Sequence, residues 1–136
     1  MDGTGRAVAR GAAVFDLVAT GCLAVPGMEQ RLLDGLYTVD AAAGFGTPPV
    51  ALPPLGLFLA NLAGALGVLW ALVRIVRPER LLVRADAIGR CCVAVLIAHA
   101  IEVRGVTPVL YAFVATELAG AIAQGWALSR RARRRL

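Results

Sequence analysis

The stretch "YAFVATELAGAIAQGW", from Tyr111 to Trp126, decides the fold class of this chain. Almost every residue in it suits a helix surrounded by lipid, and only Glu117, near its middle, carries a charge. A carboxylate at the centre of a membrane helix costs on the order of 2.5–3.5 kcal/mol. Glu117 is therefore expected to face protein, water or a partner molecule rather than hydrocarbon.

The composition of the whole chain agrees with a membrane location. The chain has 136 residues, of which 59% are hydrophobic, compared with about 45–50% in soluble globular domains. A soluble domain of this size exposes too much surface to hide so many apolar side chains. The sequence thus predicts an all-α integral membrane protein in contact with the lipid bilayer.

Four segments are apolar enough to cross a membrane, at 8–26, 55–73, 87–104 and 108–128. Each would be about 27–32 Å long as a helix, close to the thickness of the hydrocarbon core. The sequence therefore predicts one domain over residues 1–136, a bundle of four antiparallel transmembrane helices. A basic tail at 129–136 follows the fourth span.

The basic residues indicate the orientation of these spans. All 14 are arginines, and the net charge is +5. Only Arg31 and Arg104 lie on one predicted side of the membrane, and the others lie on the opposite side. By the positive-inside rule both termini are expected in the cytoplasm, with the chain in the inner membrane. No basic stripe alternates with aromatic residues, so nucleic acid is not an expected partner.

The long connection at 27–54 lies on the outer side in this topology. Its first part, 28–40, places apolar residues at helical spacing and predicts a short interfacial helix. Its second part is rich in glycine and proline and predicts an extended loop. Such a loop over a helical bundle is either a lid or a passive connector. Span two carries small residues that predict close helix packing, namely Gly56, Ala60, Gly64, Gly67 and Ala71.

Polar side chains inside the spans are the candidates for function. Asp16, Asn61, His99 and Glu117 fall at similar depths in the middle-to-outer half, and we expect them to meet inside the bundle. The predicted catalytic residues are Asp16, Glu117 and His99. The predicted substrate-binding residues are Asn61, Glu102, Thr20, Gln124 and Tyr111.

Each of these residues also has a purely structural interpretation. Asp16 and Glu117 are equally suited to hydrogen bonds that hold helices together. His99 is also typical of a packed core histidine, and Glu102 of a residue at the membrane interface. Asp86 and Arg90, four residues apart, predict a local ion pair in which Arg90 extends toward lipid headgroups.

The sequence predicts neither a metal site nor a cofactor. The cysteines are Cys22, Cys91 and Cys92, an odd number without the spacing of a disulfide framework. His99 and Glu102 supply too few ligands to hold a metal ion. No phosphate-binding loop or nucleophile motif is present.

Three classes of function fit these features. Two carboxyl groups in a dry pocket favour an acid–base isomerase or cyclase acting on a lipophilic small molecule. The same groups could bind protons in a proton-coupled small-molecule exporter. The third class is a non-catalytic accessory or assembly protein, in which the acids pair with a membrane partner protein or with a second copy of the chain.

Overall fold

The computed structural model describes residues 3–129, and this part of the chain is helical, without any strand. It contains five α-helices: α1 (Gly3–Gly21), α2 (Met28–Ala43), α3 (Pro54–Val76), α4 (Arg80–Arg104) and α5 (Tyr111–Ser129). Short 3-10 turns at Cys22–Ala24 and Pro108–Leu110 extend α1 and precede α5. The predicted basic tail lies outside the described residues from position 130 onward.

Glycine and proline set the helix ends as local physical chemistry requires. Gly44 follows α2 with a φ of 78°, a left-handed conformation that glycine adopts without steric cost. Gly105 ends α4 with a φ of 66°. Pro54 is the first residue of α3, where its missing N–H leaves no hydrogen bond unmade. Helix α2 confirms the predicted helix over 28–40 and extends it by one turn.

Three helical segments in the described part of the chain are long and apolar enough to cross a membrane. They are Gly3–Ala24, Pro54–Val76 and Pro108–Ser129, which correspond to the predicted spans 8–26, 55–73 and 108–128. The predicted span at 87–104 lies within α4, which begins earlier, at Arg80. Because α4 carries several charged residues, it does not join the other three on length and composition. The predicted all-α membrane protein is thus supported with three candidate spans, and the four-span bundle is not confirmed.

The helices pack as two pairs. Helix α1 packs along α3, and α4 packs along α5; α1 also contacts α5, whereas α3 and α4 touch each other very little. Glycines bring the first pair together, because a Cβ atom at Gly64 would lie 2.4 Å from the backbone of Ala24. A Cβ atom at Gly67 would lie 2.9 Å from the hydroxyl of Thr20. The predicted close packing of the small residues is confirmed at these two positions.

The distribution of side chains is the reverse of that in a soluble domain. Large apolar residues such as Val18, Leu55 and Ile122 are more than 60% exposed. The buried polar and charged residues are Glu29, Asp40, Arg74, Asp86, Arg90, Thr107 and Gln124. Charged side chains are rarely buried in soluble proteins unless they are paired. A polar interior and an apolar exterior are what a lipid environment favours.

Candidate functional site

Five charged side chains from four helices meet inside the bundle. We call them the ion cluster: Asp16 from α1, Arg74 from α3, Asp86 and Arg90 from α4, and Glu117 from α5. Arg74 lies two residues before the end of α3, and Asp86 lies six residues after the start of α4. These two residues therefore lie near the end of the bundle at which α3 connects to α4, whereas Asp16 lies five residues before the end of α1 and Glu117 six residues after the start of α5.

Asp86 is the most heavily bonded member of the ion cluster. Its Oδ2 atom accepts hydrogen bonds from Arg74 Nη1 at 2.5 Å and Arg90 Nε at 3.1 Å. The same atom accepts from Gln124 Nε2 at 2.5 Å, and Oδ1 accepts from Trp70 Nε1 at 2.8 Å. Its side chain is only 7% exposed. With four donors and little exposure, Asp86 serves as a structural anchor between α3, α4 and α5.

Asp16 connects α1 to the other helices of the cluster. Its Oδ2 atom accepts from Arg74 Nη2 at 2.5 Å and also from Arg90 Nη2. One carboxylate oxygen thus receives both guanidinium groups. Asp16 is also 17% exposed, more than Asp86. This part of the cluster holds the α1–α3 pair against the α4–α5 pair.

Glu117 is the least restrained carboxyl of the ion cluster. Its Oε2 atom accepts a single hydrogen bond from Arg90 Nη1 at 3.1 Å, and its side chain is 20% exposed. Within the described residues no hydrogen bond reaches Oε1. Gly120 lies one turn later on α5 and makes room for Arg90, because a Cβ atom there would lie 2.8 Å from Arg90 Nη1. Glu117 is therefore the carboxyl most free to exchange a proton or contact a ligand.

The formal charges of the ion cluster do not balance. It contains two guanidinium groups and three carboxyl groups. Arginine keeps its proton in proteins, so both cations are fixed. If all three carboxyl groups were ionised, the cluster would carry one uncompensated negative charge in a region of low dielectric, which is costly. One added proton restores neutrality.

A cleft of about 470 Å³ opens beside the ion cluster, between α3 and α4. We call it the α3–α4 cleft. Asp16, Arg74, Asp86, Arg90 and Glu117 all contribute to its lining. The remaining lining residues are Thr20, Gly67, Trp70, Ala85, Gly89 and Val93. Most of these are small or apolar, so the cleft has a mainly apolar lining next to the charged side chains of the ion cluster.

Four of the predicted site residues lie at the ion cluster: Asp16, Glu117, Gln124 and Thr20. Asp16 and Glu117 are brought together by Arg90, with which each forms an ion pair. Gln124 is 1% exposed and bonds to Asp86, but its Oε1 atom is buried without a partner among residues 3–129. The Thr20 hydroxyl donates to the Asp16 backbone carbonyl at 2.8 Å and lines the cleft.

The other four predicted site residues lie away from the ion cluster. Asn61 donates to the Leu23 carbonyl at 2.8 Å and to the Glu29 carboxylate at 3.1 Å. His99 is exposed on α4, nine residues and hence about 13 Å beyond Arg90 along the helix. The expected meeting of Asn61 and His99 with the acids is therefore wrong. The remaining two, Glu102 and Tyr111, are exposed and hydrogen-bonded to each other.

Sequence reasoning misses the two arginines of the ion cluster. The sequence places Arg74 and Arg90 at the inner membrane edge, yet they are 2% and 5% exposed. The predicted Asp86–Arg90 ion pair is confirmed at 3.1 Å, but Arg90 points into the bundle instead of toward headgroups. The available signal is the spacing of four between Trp70 and Arg74 and between Asp86 and Arg90, which places each pair on one helix face.

A second buried carboxylate lies where α2 meets the α4–α5 connection. Asp40 is fully buried and accepts hydrogen bonds from the Thr47 amide at 2.8 Å, from the Thr47 hydroxyl at 2.7 Å and from the Thr107 hydroxyl. We call these three residues the threonine latch. Burial alone would raise the pKa of Asp40, but the hydrogen bonds from Thr107 and Thr47 outweigh it, so the pKa lies below its ordinary value.

Known proteins give no further guide to the ion cluster or to the threonine latch. Among residues 3–129, no group of three or more His, Cys, Asp or Glu side chains is arranged to hold a metal ion. Cys22, Cys91 and Cys92 are unpaired and exposed. Comparison of the chain with protein-family models, curated proteins and solved structures finds no match.

Proposed function

We propose that the protein is a four-span membrane protein that exchanges a proton with a lipophilic small molecule in the α3–α4 cleft. Glu117 would be the group that exchanges it. The observation that carries this proposal is the charge count of the ion cluster, in which three carboxyl groups face two guanidinium groups beside an apolar cleft. One carboxyl must take up a proton to make the cluster neutral, and Glu117 has the fewest hydrogen bonds.

The surface of α4 supports its assignment as the fourth span. Leu81, Ile88 and Val95 are 75%, 66% and 68% exposed, and they recur every seven residues on one face. Asp86 and Arg90, by contrast, are 6% and 5% exposed and turn toward the other helices. A helix with its charges paired inside and its apolar residues outside is suited to lipid. Four spans would also place both termini on the same side of the membrane.

The position of the cleft favours a lipophilic ligand. It lies between α3 and α4, the two helices that barely touch, so a molecule dissolved in the bilayer could enter from the side. A volume of about 470 Å³ is within the range of about 300–1,000 Å³ typical of small-molecule sites. The charged side chains of the ion cluster then meet a ligand in a region from which bulk water is largely excluded.

The reaction class that best uses this arrangement is the isomerisation of a carbon–carbon double bond. Glu117 would donate its proton to one carbon of the double bond, which leaves a carbocation. The Asp16 carboxylate would then remove a proton from a neighbouring carbon, and the double bond would form in its new position. The composition of the substrate is unchanged, and the proton returns from Asp16 to Glu117 before the next cycle. A cyclisation would use the same proton donor.

Hydrogen exchange with heavy water tests this reaction for any substrate that membrane lipids contain. The purified protein would be incubated in D2O with a total extract of membrane lipids, and the lipids would then be analysed by mass spectrometry. We expect one lipid class to gain deuterium with the wild-type protein and not with Glu117→Gln. Glu102→Gln, which removes an exposed carboxyl far from the cleft, is the matched control and should retain the exchange. Deuterium gain that persists in Glu117→Gln would overturn the proposal.

Infrared spectroscopy tests the proton itself. A protonated carboxyl group has a carbonyl stretch that an ionised carboxylate lacks. The wild-type protein at neutral pH should therefore show one such band. The band should be absent in Glu117→Gln and present in Glu102→Gln. If the wild-type protein shows no band at neutral pH, the added proton does not exist and the charge argument fails.

The pairwise packing of the helices favours a proton-coupled carrier as a second candidate. The α1–α3 and α4–α5 pairs are joined by the ion cluster and by the contact of α1 with α5, so a change in the protonation of the cluster could let one pair move against the other. Such a carrier would need a pH difference across a vesicle membrane and would cause no deuterium exchange in detergent. The D2O experiment therefore separates the two candidates.

A further inference from the structure

A second cavity lies at the other end of the bundle, beside α2. It has a volume of about 360 Å³, and its lining residues include Leu32, Leu36 and Val39 of α2, together with Leu23 and Phe113. Arg31 also contributes to the lining. We call it the Arg31 groove. It shares no lining residue with the α3–α4 cleft, so what it binds is a separate question from the proposed chemistry.

We propose that the Arg31 groove binds an acyl chain of an anionic phospholipid, with the guanidinium of Arg31 contacting the phosphate. The two halves of the groove match the two halves of such a molecule. Most of the lining side chains are apolar, and the exposed Arg31 also contributes to the lining. The proposal does not depend on whether Glu117 transfers a proton.

The orientation of α2 opens the groove to lipid. The buried acids of this helix, Glu29 and Asp40, turn toward the bundle. There Glu29 accepts a hydrogen bond from Asn61, and Asp40 accepts one from Thr107 of the threonine latch. Its apolar residues face the opposite way: Leu32 is 37% exposed and Val39 is 53% exposed. In water such an inverted helix would be unfavourable, because it exposes apolar area and buries charge. At a membrane surface the exposed apolar face is solvated by acyl chains.

Among the described residues, Arg31 has no ion-pair partner for its charge. It is exposed and forms no ion pair with any residue between positions 3 and 129, although Asp34 lies on the next turn of α2. The Asp34 carboxylate instead accepts a hydrogen bond from Gln30 Nε2 at 2.9 Å. A free guanidinium presents paired donors that match the geometry of a phosphate group. The unpaired cation therefore favours an anionic headgroup over a neutral occupant of the groove.

A transmembrane helix of another protein is a poorer fit to the same groove. An apolar helix would cover the apolar lining but leave the guanidinium of Arg31 without a counter-charge, which is costly near hydrocarbon. A phospholipid supplies an acyl chain and a phosphate in one molecule. The groove is also lined by Gly35, and no atom lies within 4 Å of the position that a Cβ atom would take there. A larger side chain at position 35 can therefore occupy the groove without a clash at its Cβ atom.

Native mass spectrometry of the purified full-length protein tests the proposal. The probes are phosphatidylglycerol and phosphatidylcholine with identical acyl chains, added in equal amounts. We expect the wild-type protein to retain phosphatidylglycerol in preference to phosphatidylcholine. In Arg31→Gln this preference should fall about fivefold, because the attraction of one basic residue to an anionic membrane corresponds to a factor of about that size. Arg104→Gln removes the other arginine assigned to this side and should leave the preference unchanged.

A second variant tests the acyl-chain part of the proposal separately. Gly35→Leu places a side chain in the groove and should reduce the retention of both lipids, with the protein still folded by its circular dichroism and melting temperature. Glu117→Gln should retain lipid as the wild type does, which distinguishes this site from the α3–α4 cleft. If Arg31→Gln keeps the preference, or Gly35→Leu keeps both lipids, the groove does not bind phospholipid as proposed.

Discussion

The ion cluster and the threonine latch each bury a carboxylate, but they satisfy it in different ways. In the ion cluster, Asp86 and its neighbours face guanidinium groups from their own and from other helices, at sequence separations of up to 74 residues. In the latch, Asp40 accepts only neutral donors, from Thr47 and Thr107. The charged arrangement joins whole helices, whereas the neutral one fixes a loop and a helix connection. Disturbing them should therefore have global and local consequences respectively.

The largest effect is expected from Arg90→Met, which removes the cation that bonds to all three carboxyl groups of the ion cluster. Three carboxyl groups would then face Arg74 alone. Removing one partner from a buried ion pair destabilises proteins by about 3–5 kcal/mol. We expect a loss of that order in the free energy of unfolding, measured with denaturant in detergent micelles. Arg84→Met, on the same helix but exposed and outside the cluster, should change it little.

A double variant sharpens this prediction into a test of charge balance. Adding Glu117→Gln to Arg90→Met removes one of the excess carboxyl groups. If the imbalance of charge causes the destabilisation, the double variant should be more stable than Arg90→Met alone. Equal or lower stability of the double variant would show that lost hydrogen bonds and packing dominate.

Helix positions and the inward orientation of Asp16 and Glu117 could be predicted from the sequence. Apolar periodicity, Pro54 and the glycines Gly44 and Gly105 define where helices run and end, because these signals act within a few residues. The cost of a carboxyl group in lipid also predicts that Asp16 and Glu117 face inward. Each of these arguments needs only one helix at a time.

The composition of the ion cluster could not be predicted in the same way, because it depends on how the helices are aligned with one another. Helix α4 begins at Arg80, before the predicted span at 87–104, and its Asp86 forms ion pairs with Arg90 and with Arg74 near the end of α3. Sequence alone also cannot distinguish an arginine that pairs inside a bundle from one that reaches headgroups. The same missing alignment places Asn61 and His99 wrongly at the site.

A smaller effect is expected from Gly120→Ala, which tests how tightly Arg90 is held against α5. The new Cβ atom would lie 2.8 Å from Arg90 Nη1 and would push the guanidinium away from Glu117. Overpacking of this kind costs about 1–3 kcal/mol, and a flexible side chain places it near the lower end. Gly125→Ala is the matched control, since nothing lies within 4 Å of its Cβ position. It should be neutral or slightly stabilising, because alanine favours helix.

The comparison of these two glycine variants isolates the contact with Arg90. Both substitutions lie on α5 and give the same gain in helix propensity, so the difference between them reports the clash alone. Equal stabilities of Gly120→Ala and Gly125→Ala would mean that Arg90 moves freely, and the bond between Arg90 and Glu117 would then be too loose to orient a proton donor.

The smallest effect is expected at the threonine latch, and it depends on pH. The pKa of Asp40 in the folded protein lies below its ordinary value of 3.8. As the pH falls, Asp40 therefore takes up its proton at a higher pH when the latch is open than when it is closed. The contribution of the latch is complete above the ordinary pKa and is lost as the pH falls through the lower folded value. Amide hydrogen exchange at 44–53, corrected for its intrinsic pH dependence, should show this segment opening in acid while α1, α3, α4 and α5 stay protected.

Thr107→Val identifies the source of that pH dependence. It removes one of the hydrogen bonds that lower the pKa of Asp40, so the pKa should rise and the segment at 44–53 should open at a higher pH than in the wild type. Thr116→Val is the control, because its hydroxyl bonds only to a backbone carbonyl of its own helix. If both variants open at the wild-type pH, Asp40 does not govern the loop.

If the whole bundle opens together in acid, the contrast between a local latch and a global ion cluster is wrong, because both would then belong to one cooperative unit.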